Sequence, residues 1–120
     1  MKADRGRVPE YLRHILEAIS RIEQYTSDFN EVSFSENRMV QDAVIRNLEI
    51  LGEASRNIWI SDPDFETHYA QIPLREIYNM RNQVSHGYFS VDLDIVWTAI
   101  QNDLPKLREQ IEQALQDVQG

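Results

Sequence analysis

The nine residues Met80-Arg81-Asn82-Gln83-Val84-Ser85-His86-Gly87-Tyr88 bring a guanidinium, an imidazole and a phenol into one short stretch. Leu74, Ile77, Val84 and Tyr88 recur at helical spacing, and Arg81 stands on that stripe where an apolar side chain is expected. A half-buried guanidinium is costly unless it is paired. Two readings account for it: an internal ion pair with Glu49 or Glu53, or a cation aimed at an anionic ligand inside a cleft. Histidine exchanges protons near neutrality, and arginine stabilises charge developing on a phosphoryl group. RNA carries its own nucleophile, the 2′-hydroxyl, so a proton-transfer group and a phosphate-gripping cation suffice for cleavage without a metal. The plainer alternatives are a helix-end histidine that meets the helix dipole, and a tyrosine that closes the core with its hydroxyl at the surface.

Helical geometry constrains the set. Five residues at about 100° each put His86 about 140° around the axis from Arg81, whereas seven return Tyr88 to within about 20° of it. Arg81 and Tyr88 therefore favour one face. His86 joins them if the chain turns near Gly87, or a second subunit supplies the missing partner across a two-fold axis. Metal ligation is poorly served: His14, His68 and His86 are scattered, no i, i+4 histidine pair exists, and there is no cysteine.

The elements that must hold this segment are helical. Leu12, Ile15, Ile19 and Ile22 mark one face of a helix from about Val8 to Tyr25, with Pro9 in its first turn. Thr26 to Glu31 reads as a loop over Phe29 and Phe34. A longer helix follows from about Ser35 to Ile60, its stripe being Val40, Ala43, Val44, Leu48, Leu51, Ala54 and Ile58. Gly52 lies in the middle of it. A mid-helix glycine costs about 1 kcal/mol against alanine, so another helix is expected to approach closely there. Ser61-Asp62-Pro63-Asp64 ends that helix, and a loop continues to Ile72. Pro73 opens a third helix that runs to about His86, with Gly87 at its end. Ser90-Val91-Asp92 offers cap residues for a fourth, whose seam is Leu93, Trp97, Ile100, Leu104, Leu107, Ile111, Ala114 and Val118, kinked at Pro105. Four helices with short connections predict a compact, all-α, antiparallel four-helix bundle.

Composition agrees with a single domain over residues 1–120, because either half alone has too little core. Apolar residues make up 42% of the 120, which is globular. The absence of cysteine excludes disulfides, thiolate zinc sites and a cysteine nucleophile, and it suits a reducing, cytoplasmic setting. No run of about 18 apolar residues exists to span a membrane. The start, Met1 to Arg7, carries no apolar stretch of a signal peptide. Net charge is −8, so no cationic surplus drives non-specific nucleic-acid binding, and any contact with RNA must be confined to a local cluster. Ten of the twelve basic residues are arginine, the side chain whose planar fork grips phosphate or carboxylate at two points.

Arg81-x4-His86-x-Tyr88 resembles the R-x4-H-x-Y signature of the HepT-like toxins of the HEPN superfamily. Asp42-Ala43-Val44-Ile45-Arg46-Asn47-Leu48-Glu49-Ile50-Leu51-Gly52-Glu53-Ala54 is similar to the family's second-helix block. Ile72-Pro73 ahead of Met80-Arg81-Asn82, and Val91-Asp92 before Ile95-Val96-Trp97, match in order and spacing, so the likeness covers about residues 8 to 112. Two positions depart from the pattern. Leu74 stands where tryptophan is common, and Gly87 where an acidic residue often lies, which removes a carboxylate near His86.

The resemblance implies a homodimer with both Arg/His motifs in a cleft between subunits, and a metal-independent endoribonuclease that is the toxin of a toxin–antitoxin pair and needs no cofactor. In that scheme Arg81 stabilises the phosphate in the transition state, His86 transfers protons, and Asn82 helps orient the site. The implied partner is a nucleotidyltransferase antitoxin that attaches AMP to Tyr88. The added phosphate charge would then occupy the cation that an RNA substrate needs. The rival expectation is a non-catalytic HEPN module that binds nucleotide or a nucleotidyltransferase partner. A third is a structural helical dimer in which Arg81 is only a member of an ion pair.

Overall fold

Residues 5–86 and 92–119 are described in the computed structural model, and every regular element among them is helical. A short 3-10 turn at Arg5–Arg7 leads into α1, Val8–Thr26, with Pro9 in its first turn as expected. Leu12, Ile15, Ile19 and Ile22 are fully buried, so the stripe read from spacing is the core face of this helix.

Two short helices escaped the sequence reading. α2, Glu31–Ser35, occupies the end of the expected loop and the start of the expected second helix. Asn30 and Ser33 cap it reciprocally: Ser33 N–H donates to Asn30 Oδ1 at 2.9 Å, and Asn30 N–H donates to Ser33 Oγ at 2.9 Å. Phe34 is buried beneath the segment and Phe29 only partly so. Asn37 then starts a new helix by accepting from Val40 N–H at 3.0 Å, which is why α3 runs Arg38–Ser61 and not from Ser35. α4 is a single turn, Phe65–His68, inside what had read as loop. Elements of four or five residues are too short to show a helical period.

The third expected helix is α5, Leu74–His86, with the Pro73 carbonyl accepting from Ile77 N–H at 3.0 Å. Beyond residues 87–91 the chain enters α6, Leu93–Thr98, capped by Asp92, whose Oδ1 accepts from the N–H groups of Asp94 and Ile95. A π-helical segment, Ala99–Asp103, joins it to α7, Leu104–Gln119. The kink expected at Pro105 takes this form. Leu104 N–H reaches back five residues to the Ala99 carbonyl, and the wider turn gives room to a proline ring that would clash four residues back.

α3 is the central helix. It packs against α1 on one side and α5 on the other, while α1 also packs on α7 and α2 on α6. One core cluster joins Leu12, Ile15, Val44, Leu48, Ile58 and Ile111 across α1, α3 and α7. α5 and α7 stand apart. Between them lies a cleft of about 280 Å³, floored by Leu48 and Leu51 and walled by Ile77, Met80, Leu104 and Leu107. Buried polar groups are mostly satisfied locally: Thr26 Oγ1 donates to Ile22 O at 2.7 Å, and Ser55 Oγ to Leu51 O at 2.8 Å. Gln41 Nε2 donates to Phe34 O at 2.8 Å and ties α2 to α3. No helix among the described residues is long and apolar enough to cross a membrane.

Candidate functional site

The close approach expected at Gly52 is made by Arg81. A Cβ built at Gly52 would lie 2.2 Å from Arg81 Cβ and 2.6 Å from its Cγ, so α5 rests on α3 only because residue 52 has no side chain. The stem of Arg81 thus lies on the backbone of α3, and its head emerges at the edge of the contact. Leu74 and Val84 of the same stripe are buried, which fixes the rotation of α5 and with it the direction of Arg81.

Side chains above and below hold the guanidinium. Its Nη2 lies 3.3 Å from Glu53 Oε2, and Nη1 donates to Asn82 Oδ1 at 2.9 Å. The guanidinium carbon lies 5.9 Å from the centre of the Tyr78 ring. Tyr78 meets Trp59 edge-on at 5.4 Å, and Arg75 covers the other aromatic at 4.1 Å while gripping Glu66 with two nitrogens. This alternation of charges and rings pins α5 to α3 along its exposed edge.

The ion pair with Glu53 anticipated from sequence therefore exists, yet it leaves Arg81 incompletely used. Its Nε is buried and has no hydrogen-bond partner among the described residues, a state shared there with Asn47 Oδ1. Glu53 is 48% exposed and Arg81 27%, so the pair is a solvated edge contact and not a sealed one.

Arg81 opens onto a groove of about 310 Å³ lined from three helices. His14 comes from α1, Arg46, Glu49, Ile50, Glu53 and Asn57 from α3, and Arg81 from α5. From sequence, His14 is one of three scattered histidines, and Arg46 sits away from the apolar stripe of its helix with no partner assigned. Steps of 4, 3 and 4 from Arg46 through Ile50 and Glu53 to Asn57 mark one helical face, the signal that could have gathered the α3 members. His14 shares no such local pattern with them. Its Nε2 lies 4.0 Å from Glu10 Oε1, and its ring meets Tyr11 at 6.2 Å. The side chain of Arg7 draws the Glu10 carboxyl below the ordinary range, first by hydrogen bonding and then by charge.

The other expected site residues fall differently. Asn82 is in contact with Arg81 and keeps Nη1 in place. The backbone of His86 closes α5, but its side chain lies outside the described residues, as do Gly87 and Tyr88 altogether. Among the described residues no three His, Asp or Glu side chains gather as a metal site requires.

Comparison with known proteins places this arrangement. The family model described as ribonuclease HepT-like matches residues 15–114, which contain Gly52, Arg81 and most of the groove. A Methanocaldococcus jannaschii protein named "Gamma-glutamylcyclotransferase and putative RNase" is 42% identical over 108 residues, 90% of this chain and 47% of that protein. The chain thus spans about half the length of that relative. A Thermococcus cleftensis protein named "Probable ribonuclease HepT" is 41% identical over 103 residues, 86% of this chain and 91% of that protein. No solved structure matches the chain. With the family model covering most of the sequence and relatives of similar length aligned nearly end to end, the chain belongs to the HepT-like family.

Proposed function

We propose that the chain is a metal-independent endoribonuclease, the toxin of a toxin–antitoxin pair, acting on cytoplasmic RNA. One observation carries this reading: Arg81, the arginine that matches the family motif, lines an open groove with its head held by Glu53 and Asn82. The names of the relatives add support from outside the structure.

In the proposed reaction the ribose 2′-oxygen attacks the adjacent phosphorus. The new 2′-O–P bond forms as the bond to the 5′-oxygen breaks, leaving a 2′,3′-cyclic phosphate and a 5′-hydroxyl. His86 transfers the protons that this exchange requires. Arg81 stabilises the charge gathering on the non-bridging oxygens, and Asn82 holds the guanidinium at the right angle. A four-helix bundle that dimerises would bring two such motifs to one cleft. Silencing would come from a nucleotidyltransferase antitoxin that transfers AMP from ATP to Tyr88 and releases pyrophosphate. The tyrosine-bound phosphate is an anion of the class Arg81 would otherwise take from RNA.

The test is cleavage of total RNA in EDTA by purified protein beside Arg81→Ala and His86→Ala, with intact mass recorded on each sample. Cleavage by wild type and by neither variant supports the proposal. Wild-type protein of unmodified mass that leaves RNA intact overturns it in favour of a binding module. Inactive protein carrying added AMP masses, restored on removal of the AMP, supports the silencing step.

A further inference from the structure

We infer that Arg46 is a second phosphate contact, so that the groove along α3 holds the RNA strand at a phosphate beside the one being cut. The inference rests on the ribonuclease reading above and names how its substrate lies. Arg46 is exposed and makes no ion pair among the described residues. Arg7, Arg38, Arg75, Arg81 and Arg108 each hold a carboxylate, whereas Arg13, Arg21 and Arg56 are exposed and unpaired like Arg46 among the described residues but lie outside the groove. Arg46 also shares a groove with Arg81, the arginine whose Nε is unused.

The levels of the two arginines on α3 fit a strand running along the groove. Arg81 crosses α3 at Gly52 and pairs with Glu53, so it marks that level of the helix. Arg46 lies six to seven residues earlier, about 10 Å along the axis at about 1.5 Å per residue. A flexible strand laid along α3 can present one phosphate to each arginine. Glu49 lines the α3 wall between the two levels, and Glu53 stands at the Arg81 level. Their charge disfavours continuous phosphate contact and leaves two anchoring points. His14 and Asn57 complete the lining with groups able to hydrogen-bond sugar or base. A protein of net charge −8 repels nucleic acid elsewhere, so each groove cation should weigh measurably on binding.

The experiment measures binding of a mixed-sequence single-stranded RNA with 2′-O-methyl riboses, which cannot be cleaved, as a function of salt. Cleavage of the unmodified strand is followed in parallel. Arg46→Ala is compared with wild type and with Arg56→Ala, an exposed arginine of the same helix outside the groove. Arg46→Ala should weaken binding about tenfold and reduce the slope of log K against log salt by about 0.7, one single-strand phosphate contact. It should raise KM with kcat unchanged, and Arg56→Ala should do neither. Thermal melts confirm that both variants fold. If wild type cleaves RNA but Arg46→Ala matches Arg56→Ala, the inference fails and the ribonuclease reading stands. If wild type binds the strand through Arg46 but never cleaves, the ribonuclease reading fails and the phosphate site stands. A wild type that neither binds the strand nor cleaves RNA overturns both.

Discussion

Arg81 and Arg108 are nearly identical by the usual measures. Their side chains are 27% and 28% exposed, and each pairs with a glutamate from a neighbouring helix. Their surroundings differ. Arg108 clamps α7 to α1: it holds Glu23, donates to Ser20 Oγ at 3.3 Å, and lies 3.8 Å from Glu112 one turn along its own helix. Arg81 has one carboxylate, one amide and a ring beneath it, with its Nε unmatched among the described residues, and a glycine stands opposite that lets it in. Residue type and exposure do not separate the two. An account of their hydrogen bonds does: Arg108 spreads its donors over three side chains, whereas Arg81 keeps a buried Nε without a partner among the described residues.

The sharpest way to break this comparison is to remove each arginine in turn. Arg81→Ala should lower RNA cleavage by about 10²–10³-fold, the usual loss for a donor aimed at transition-state charge. Because Glu53 is half-exposed, its stability should change by less than about 1 kcal/mol in urea unfolding. A loss of about 3–5 kcal/mol would instead mark Arg81 as one half of a sealed ion pair.

Next in size is the contact beneath it. Gly52→Ala places a methyl group against Arg81 Cβ, an atom that moves only with the backbone of α5, and should cost about 1–3 kcal/mol. Cleavage should fall with it, since the helices must separate and Arg81 must shift. Unaltered activity and melting temperature would mean that the crossing is looser than the structure has it.

Arg108→Ala should cost about 1 kcal/mol, visible as a melting temperature lower by a few degrees, with cleavage by the folded protein unchanged. A drop in cleavage without a drop in stability would erase the contrast between the two arginines.

The smallest effect concerns Tyr69, stacked on Phe65 at 4.6 Å with its hydroxyl 3.5 Å from Asp117 Oδ2. Burial, and then the charge of Asp117, raise its phenol above the ordinary value of 10.0. The folded state therefore favours the neutral phenol. Its contribution is complete below the ordinary value and is lost as pH rises through the raised one. Tyr69→Phe should remove the latest part of the alkaline absorbance titration of the folded protein.

Much of this molecule was legible in local spacing. The stripes of α1 and α3, the break at Pro105, the cap at Asp92 and the demand at Gly52 for a close neighbour are properties of residues a few positions apart. They follow from the helical repeat and from backbone chemistry. Sequence also singled out Arg81 as a cation on an apolar stripe and offered Glu49 or Glu53 as its partner, and it pairs with Glu53. The short helices α2 and α4 were not legible, because four or five residues carry no period and their caps compete with ordinary turns.

Tertiary structure alone decided which neighbour Gly52 makes room for, and that it is the same arginine the motif contains. It also decided that the pair with Glu53 lies at a solvated edge, and that His14 and Arg46, 32 residues apart in the chain, share a groove with Arg81. The physical reason is that periodicity fixes which side of a helix a residue occupies, while the partner on that side is set by how whole helices pack. Such packing depends on the summed burial of distant stripes, a quantity no short window of sequence contains.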